Sequence, residues 1–248
     1  MNVLFIGDIH NHTYIFNDIK RLDNIYNFDK IIFIGDYIDN WNTDNHDSLK
    51  VLETILNLKK SNFDKYTLCL GNHELSYLGY PCSGHKFNLD FIISLKLKDN
   101  IDCFDLYTSI ILNNVEYVCT HAGINNKYIK NVLQGDWKKE LNLINQNKLS
   151  NLYLTTMCSS LRGGHNEFSS FLWCDKREHE YFNKKETPII PNQIIGHTPV
   201  HSISTLKNNS SVFYFIDTHS TLKDGTPIGD KSYLAYLDNE FKILLWGE

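Results

Sequence analysis

FIGDYIDN, residues 33–40, joins an apolar run to two carboxylates, Asp36 and Asp39, and then to an amide, Asn40. The run that feeds it, Ile31 to Ile34, is continuously apolar, the pattern of a strand buried on both faces. Gly35 permits a sharp exit from such a strand, and the short acid that follows is presented beyond the sheet end. The same ending occurs at FIGD (5–8) and, with an amide in place of the acid, at CLGN (69–72). Strands at Val3 to Ile6, Ile31 to Ile34 and Thr67 to Leu70 alternate with helical stretches at Tyr14 to Tyr26 and Ser48 to Lys60. That alternation predicts parallel strands, and groups just past the carboxyl ends of parallel strands converge on one crevice.

Beyond residue 75 the pattern loosens. Leu75 to Leu97 reads as irregular helix broken at Gly79 to Pro81. Ser109 to Leu112 and Glu116 to Cys119 read as a hairpin turning at Asn113-Asn114. Residues 125–160 read as mostly helical and 161–190 as loop-rich. The tail turns to strands at Gln193 to Ile195, Val212 to Ile216, Tyr233 to Leu237 and Phe241 to Leu245, the last two joined tightly through Asp238-Asn239-Glu240. With no linker, repeat or low-complexity tract, the expectation is one α/β domain over residues 1–248, built on two sheets.

Composition narrows the function classes. A net charge of -5 with interspersed signs argues against general nucleic-acid or membrane-surface binding. The six cysteines form no C-x-x-C pair and suit reduced, mostly buried thiols. The start, MNVLFIGDIHNH, lacks a basic leader and is too short to span a membrane, so a cytoplasmic location is expected.

The strand ends carry the chemistry. Asp8 and His10 follow the first, Asp36 the second, and Asn72 with His73 the third, while His121 and His197 follow later ones. This is an oxygen and nitrogen donor set without thiolate, suited to Mn, Fe, Zn or Mg. Seven groups exceed the needs of one tetrahedral ion. They suit two ions about 3.5–4 Å apart sharing a carboxylate, an arrangement that hydrolyses phosphate esters.

GDIH (7–10), GDYID (35–39), GNHE (71–74), HAG (121–123) and GHTP (196–199) together resemble the calcineurin-like metallophosphoesterases. More narrowly they resemble the phosphoprotein-phosphatase branch, which includes bacterial and phage serine/threonine phosphatases and symmetrical dinucleoside-tetraphosphatases. The motifs stand in the family's order over about four-fifths of the chain. The resemblance implies a two-sheet sandwich flanked by helices in α-β-β-α layers. It implies two divalent ions, Mn foremost, with Fe, Zn, Mg or Ni as alternatives. Asp8 and His10 would hold the first ion, Asp36 would bridge both, and Asn72, His121 and His197 would complete the second. A hydroxide between the ions would attack phosphorus. His73, oriented by Asp39, would protonate the leaving oxygen, and Arg162, in an RGG segment ahead of FLWCD (171–175), would clamp the phosphate. Arg162, Asn40 and Asn72 are the residues expected to face the substrate.

The chain departs from the family pattern at Asn11, where glycine is usual, and at Asn40-Trp41, where Arg-Gly normally follows the second aspartate. The missing arginine points to another substrate, or to another cation supplied from elsewhere. The expected substrate is a phosphoprotein, nucleotide or small phosphoester, with no membrane partner. A phosphomonoesterase is the leading reading, a dinucleoside polyphosphate or phosphodiester hydrolase the second, and a non-catalytic metal-binding interaction protein the third.

The remaining candidates read more plainly. Glu74 is expected to cap or orient rather than ligate. His12, His46, His85, His165, His179 and His219 are expected in solvent or at a substrate rim, and His201 at the surface. Trp41 and Trp173 are either core aromatics or surfaces on which a ring could stack. Asp217, in FIDTH, is either a support for the metal ligands or an ordinary strand-end turn.

Overall fold

The computed structural model describes residues 1–80, 90–190, 192–208 and 210–247; Pro81, Cys82 and His85 lie outside the described residues. β1 (Val3–Ile6), β2 (Lys30–Phe33) and β3 (Tyr66–Leu68) run parallel, joined by α1 (Tyr14–Tyr26) and α2 (Asn45–Ser61). β9 (Tyr233–Leu237) adds antiparallel to β1, and β10 (Glu240–Leu244) extends the sheet beyond it. The first sheet therefore has the order β10-β9-β1-β2-β3.

The second sheet takes β4 (Thr108–Leu112), β5 (Val115–Thr120), β6 (Asn192–Ile195), β7 (Ser204–Asn208) and β8 (Ser211–Phe215) in the order β4-β5-β6-β8-β7. Its central strands β5, β6 and β8 are parallel, and both edge strands are antiparallel to their neighbours. α3 (Asn72–Tyr77) and α4 (Phe91–Asp99) follow β3. α5 (Asn126–Asn131), α6 (Trp137–Gln146) and α7 (Lys148–Asn151) follow β5, and α8 (Lys176–Lys185) precedes β6.

The period of two along each strand divides the core. Val3 and Phe5 of β1 pack with Ile32, Ile110, Cys119, Ile194 and Leu234 in the layer between the sheets. Leu4 and Ile6, one residue out of phase, pack with Ile15, Ile19 and Leu22 of α1 and Val51, Leu52 and Ile55 of α2. Two mixed sheets flanked by helices, the expected α/β architecture, are thus built from one alternation. Both hairpin turns place two consecutive residues in the left-handed region, Asn113-Asn114 at φ 48° and 61° and Asp238-Asn239 at φ 55° and 67°. Asn and Asp tolerate this better than other side-chain-bearing residues, and the resulting turn matches the strand twist.

Several expectations need correction. Residues 161–190 include the ten-residue helix α8. Its sequence KREHEYFNKK shows little apolar stripe, but Asp175 caps it by accepting from the Arg177 amide, and Glu178 accepts from the Asp175 amide. β7 was not anticipated either, because STLKN is a polar edge strand. His179 and His219 are interior rather than at a rim, each about 1% exposed. His179 donates from Nε2 to the Ala122 carbonyl and packs its ring against Phe213 and Phe215, which places α8 on the outer face of the second sheet.

Of the cysteines among the described residues, Cys69, Cys103, Cys119 and Cys174 are buried and Cys158 is half-buried, all as free thiols. Among the described residues no helix is long and apolar enough to cross a membrane.

His219 generates a pH prediction. It stacks near Tyr233 and meets the Tyr14 hydroxyl at 3.1 Å through Nδ1. Burial, reinforced by His12 and Lys231, lowers its pKa from 6.5 to about 3. As pH falls below 6.5 the unfolded chain takes up a proton that the folded chain refuses, so stability is lost between pH 6.5 and about 3. That loss should be on the order of 1 kcal/mol per pH unit from this group. Denaturant titrations from pH 7 to 4 should show a shallower decline for His219→Gln than for the parent; parallel declines would refute the assignment.

Candidate metal centre

The site forms where the carboxyl ends of β1, β2, β5 and β6 meet. The FIGDYIDN turn holds Asp36 at φ 51° and Asp39 at φ 67°, and His10, Asn11 and His197 are also left-handed, at φ 44°, 63° and 63°. Such conformations cost on the order of 1 kcal/mol or more each for residues with a side chain, and they cluster where a structure enforces them. Asn11 is thereby explained: glycine and asparagine are the residues that adopt this backbone most readily. Its amide then donates to Thr43 Oγ1 at 2.7 Å and Ser48 Oγ at 2.9 Å.

One carboxylate enforces the turn around Asp36. Glu74, fully buried on α3, accepts from the backbone amides of Asp36 (3.1 Å), Tyr37 (2.9 Å) and Gly71 (2.9 Å), with the Ile38 amide at 3.4 Å. Asp36 Oδ1 in turn accepts from the His73 amide at 3.0 Å. A Cβ on Gly71 would lie 2.1 Å from that same oxygen, so only glycine allows the two strand ends to approach this closely.

Asp36 Oδ2 is the focus of the centre. It lies 3.8 Å from His10 Nε2, 3.8 Å from His73 Nε2 and 3.3 Å from His121 Nε2. The Asp36 carboxylate belongs to two donor groups: His10, Asp36 and His73, and Asp36, His121 and His197. Asp8 adjoins the first group, with Oδ2 3.7 Å from His10 Nε2, while its other oxygen accepts from the His197 amide at 2.9 Å. Asn72 adjoins the second, with Oδ1 2.8 Å from His121 Nε2. His73 Nδ1 stands 3.5 Å from Asp39 Oδ2, and Asp39 Oδ1 accepts from the Tyr77 hydroxyl at 2.7 Å.

The donor chemistry fits divalent ions. His121 Nδ1 must donate to the Ile34 carbonyl at 2.9 Å, which in the neutral ring leaves a lone pair on Nε2. That lone pair faces the Asn72 carbonyl oxygen, the Asp36 carboxylate and, at 3.1 Å, His197 Nδ1. His10 behaves alike: Nδ1 donates to the Asp39 carbonyl at 2.9 Å, turning the Nε2 lone pair toward Asp8 and Asp36. Converging acceptors require a proton or a cation between them, and fixed tautomers of this kind are how proteins orient metal-binding histidines.

Electrostatics follow from the same crowding. Burial would lift the Asp36 carboxyl, but His121, His73 and His10 hold it well below the usual carboxylate range. Asp8 goes the other way, raised by burial and by Asp217 and Asp36. Burial pulls His73 down, yet Asp36 and Asp39 outweigh it and raise it to about 9. Asp217 is raised to about 6, chiefly by burial, and accepts from Ser220 Oγ at 2.9 Å.

His10, Asp36, Asn72, His73, Arg162 and His197 line one cleft of about 350 Å³, together with Trp41, Trp173 and Lys223. Arg162 donates from Nη2 to the His197 carbonyl at 3.1 Å and to Thr198 Oγ1 at 2.9 Å, and its Nε pairs with Asp175 at 2.8 Å. Asp175 therefore both caps α8 and holds Arg162, a role masked in the sequence because the helix itself was not foreseen. Asn40 is 6% exposed, and its groups are engaged locally. Its amide donates to the His10 carbonyl at 2.8 Å, and its oxygen accepts from the Trp41 amide and from Thr221 Oγ1. His201 is exposed, as are His46 and His165.

Glu74 generates the prediction here. Glu74→Ala leaves buried amides around a left-handed turn without an acceptor, and should cost about 3 kcal/mol or more. Urea unfolding checks it; a loss below about 1 kcal/mol would show that the turn holds itself.

The residue pattern has a counterpart among known families. The family model for calcineurin-like phosphoesterases matches residues 1–219. No curated protein sequence matches the chain. Solved structures similar to it include an archaeal phosphodiesterase (14% identity, 99% of this chain and 100% of that one, TM-score 0.43). The phosphoesterase Yfce from E. coli is another (12% identity, 96% and 89% coverage, TM-score 0.44). A third is a predicted phosphoesterase from Streptococcus pneumoniae TIGR4 (11% identity, 99% and 92% coverage, TM-score 0.37). With its model matched over most of the chain and its motifs at the strand ends, the family is settled: this protein belongs to the calcineurin-like phosphoesterases.

Proposed function

We propose that the protein is a two-metal phosphoesterase of the phosphoprotein-phosphatase type, acting on phosphomonoesters. The observation that carries this reading is the Asp36 carboxylate, common to two groups of buried donors, with the Nε2 lone pairs of His10 and His121 turned toward it. Asp8, His10 and Asp36 would hold one ion, and Asp36, Asn72, His121 and His197 the other, with Mn²⁺ the favoured metal. Two such ions supply Lewis acidity and lower the pKa of a water molecule toward neutrality.

The protein's own groups do the rest. Arg162, fixed by Asp175 and the His197 carbonyl, presents its guanidinium to the phosphate oxygens in the same cleft. His73 carries a proton near neutral pH because Asp36 and Asp39 flank it, and it delivers that proton to the leaving oxygen. Asp39, itself held by Tyr77, keeps the imidazole oriented. Hydrolysis of a phosphoanhydride or phosphodiester is the second reading, favoured by Asn40, which leaves its own position without a cation beside the cleft.

A panel assay separates the readings. With Mn²⁺ present, p-nitrophenyl phosphate and a phosphopeptide should be cleaved faster than bis-p-nitrophenyl phosphate or a dinucleoside polyphosphate. The reverse order would favour the second reading, and no turnover at all would leave a non-catalytic binding protein. Asp36→Asn should lower bound metal from two equivalents and reduce turnover by about a hundredfold or more. Two full equivalents in that variant would remove the bridging role.

A further inference from the structure

Arg162 enters the cleft from a three-residue 3-10 turn, Ser160–Arg162, followed by Gly163 in the left-handed region at φ 83°. So short a turn has little rigidity of its own, because 3-10 hydrogen bonds are poorly aligned and few of them close it. The first turn of α8 supplies the seat. Glu178 accepts from the Ser159 hydroxyl at 2.7 Å, just ahead of the turn. Thr198 Oγ1 accepts from the Lys176 amide at 3.1 Å as well as from Arg162 Nη2. Arg177 then reaches across the turn. Its Nη2 donates to the Leu161 carbonyl at 3.1 Å and to Asp175 Oδ2 at 3.1 Å, while its Nε donates to Asp175 Oδ1 at 2.8 Å. Arg177 lines a separate hollow with Leu161, Tyr181 and Phe182.

Two arginines therefore share one carboxylate. Asp175 is 3% exposed, and its Oδ2 both pairs with Arg162 Nε at 2.8 Å and accepts from Arg177 Nη2. Burial would raise the Asp175 carboxyl, yet hydrogen bonds from Arg177 and the charges of both arginines hold it below the usual carboxylate range. A buried carboxylate paired with Arg162 alone would cancel most of that guanidinium's charge as felt from the cleft. With Arg177 on the same carboxylate, the trio keeps one net positive charge. An exposed ion pair contributes little to stability, and 60% of the Arg177 side chain is exposed. The pair matters instead for what it does to Arg162.

We propose that Arg177 is a positioning residue for the anion-binding arginine: by sharing Asp175 and holding the Leu161 carbonyl, it keeps the Arg162 guanidinium in place and its charge uncancelled. The inference rests on the phosphoesterase reading above, in which Arg162 grips the phosphate. Arg177 touches no substrate, and a bound phosphate feels it only through Arg162.

Calorimetry of inorganic phosphate binding to the Mn²⁺-loaded protein tests this. Arg162→Ala should weaken binding about thirtyfold, through the loss of charge-assisted hydrogen bonds. Arg177→Ala should weaken it about fivefold, with bound Mn²⁺ and the urea midpoint unchanged. Arg177→Lys, which keeps a positive charge beside Asp175, should stay within about twofold of the parent. Made in the Arg162→Ala protein, Arg177→Ala should have no further effect, because residues acting through one another do not add. In hydrolysis of p-nitrophenyl phosphate, Arg177→Ala should raise KM about fivefold and leave kcat within about twofold. Parent-like phosphate affinity in Arg177→Ala, a loss that persists without Arg162, or an equal loss in Arg177→Lys would overturn the inference and leave the phosphoesterase reading intact. If the parent hydrolyses no phosphate ester, that reading falls instead, and calorimetry alone then decides. Coupled losses at Arg162 and Arg177 would uphold the positioning role, and a parent that binds no phosphate would overturn it.

Discussion

The Glu74 carboxylate, accepting from the backbone amides around Asp36 and Gly71, is the interaction on which the rest of the site depends. It acts with the Ile9 and His10 amides, which donate to the Asp36 carbonyl, to hold Asp36 in a left-handed conformation with Oδ2 within reach of three imidazoles. The arrangement has its own cost. A buried carboxylate so close to Asp36 is raised to about 7, first by burial and then by that neighbouring charge. Amide hydrogen bonds offset this, as they do for carboxylates at helix and turn caps. The protein thus keeps two acids in one dry region by giving one to the backbone and the other to the imidazoles.

The fold was largely legible because its central strands are continuously apolar and end in glycine followed by a short polar residue. β1, α1 and β9 fall where the alternation places them, and the two hairpins fall where Asn-Asn and Asp-Asn stand. α8 and β7 were illegible for one physical reason. Both are polar, so the hydrophobic period that marks other elements is faint in them, and tertiary contacts decide their form. His179 and His219 were misplaced because neither sequence spacing nor neighbours reveal that a histidine will be enclosed by aromatic rings. In the candidate site, Asp8, His10, Asp36, Asn72, His121 and His197 announce themselves by strand-end spacing. Asp175 and Lys223 do not, since each reaches the cleft from a segment with no strand-end signature.

Charge is distributed around the cleft in two shells. Inside, Asp8, Asp36 and Asp217 concentrate negative charge in a region from which water is largely excluded, which lifts Asp8 and Asp217 above their ordinary values. At the walls, Arg162 and Lys223 bring positive charge on elements from different parts of the chain. An anion entering the cleft would meet cations before it met the acids. The acids favour the binding of metal ions, and the outer cations offset their repulsion of a phosphate.

The centre also joins the two halves of the sandwich. Asp8 and Asp36 leave the ends of β1 and β2 in the first sheet, whereas His121 and His197 leave β5 and β6 in the second. Any cation gripped by both pairs would act as a rivet between sheets that otherwise meet here through apolar side chains and a few hydrogen bonds, such as His121 to the Ile34 carbonyl and the His197 amide to Asp8. Mechanical cohesion of the molecule would then rise and fall with the free metal concentration, and a chelator would act on it as a solvent acts on glue.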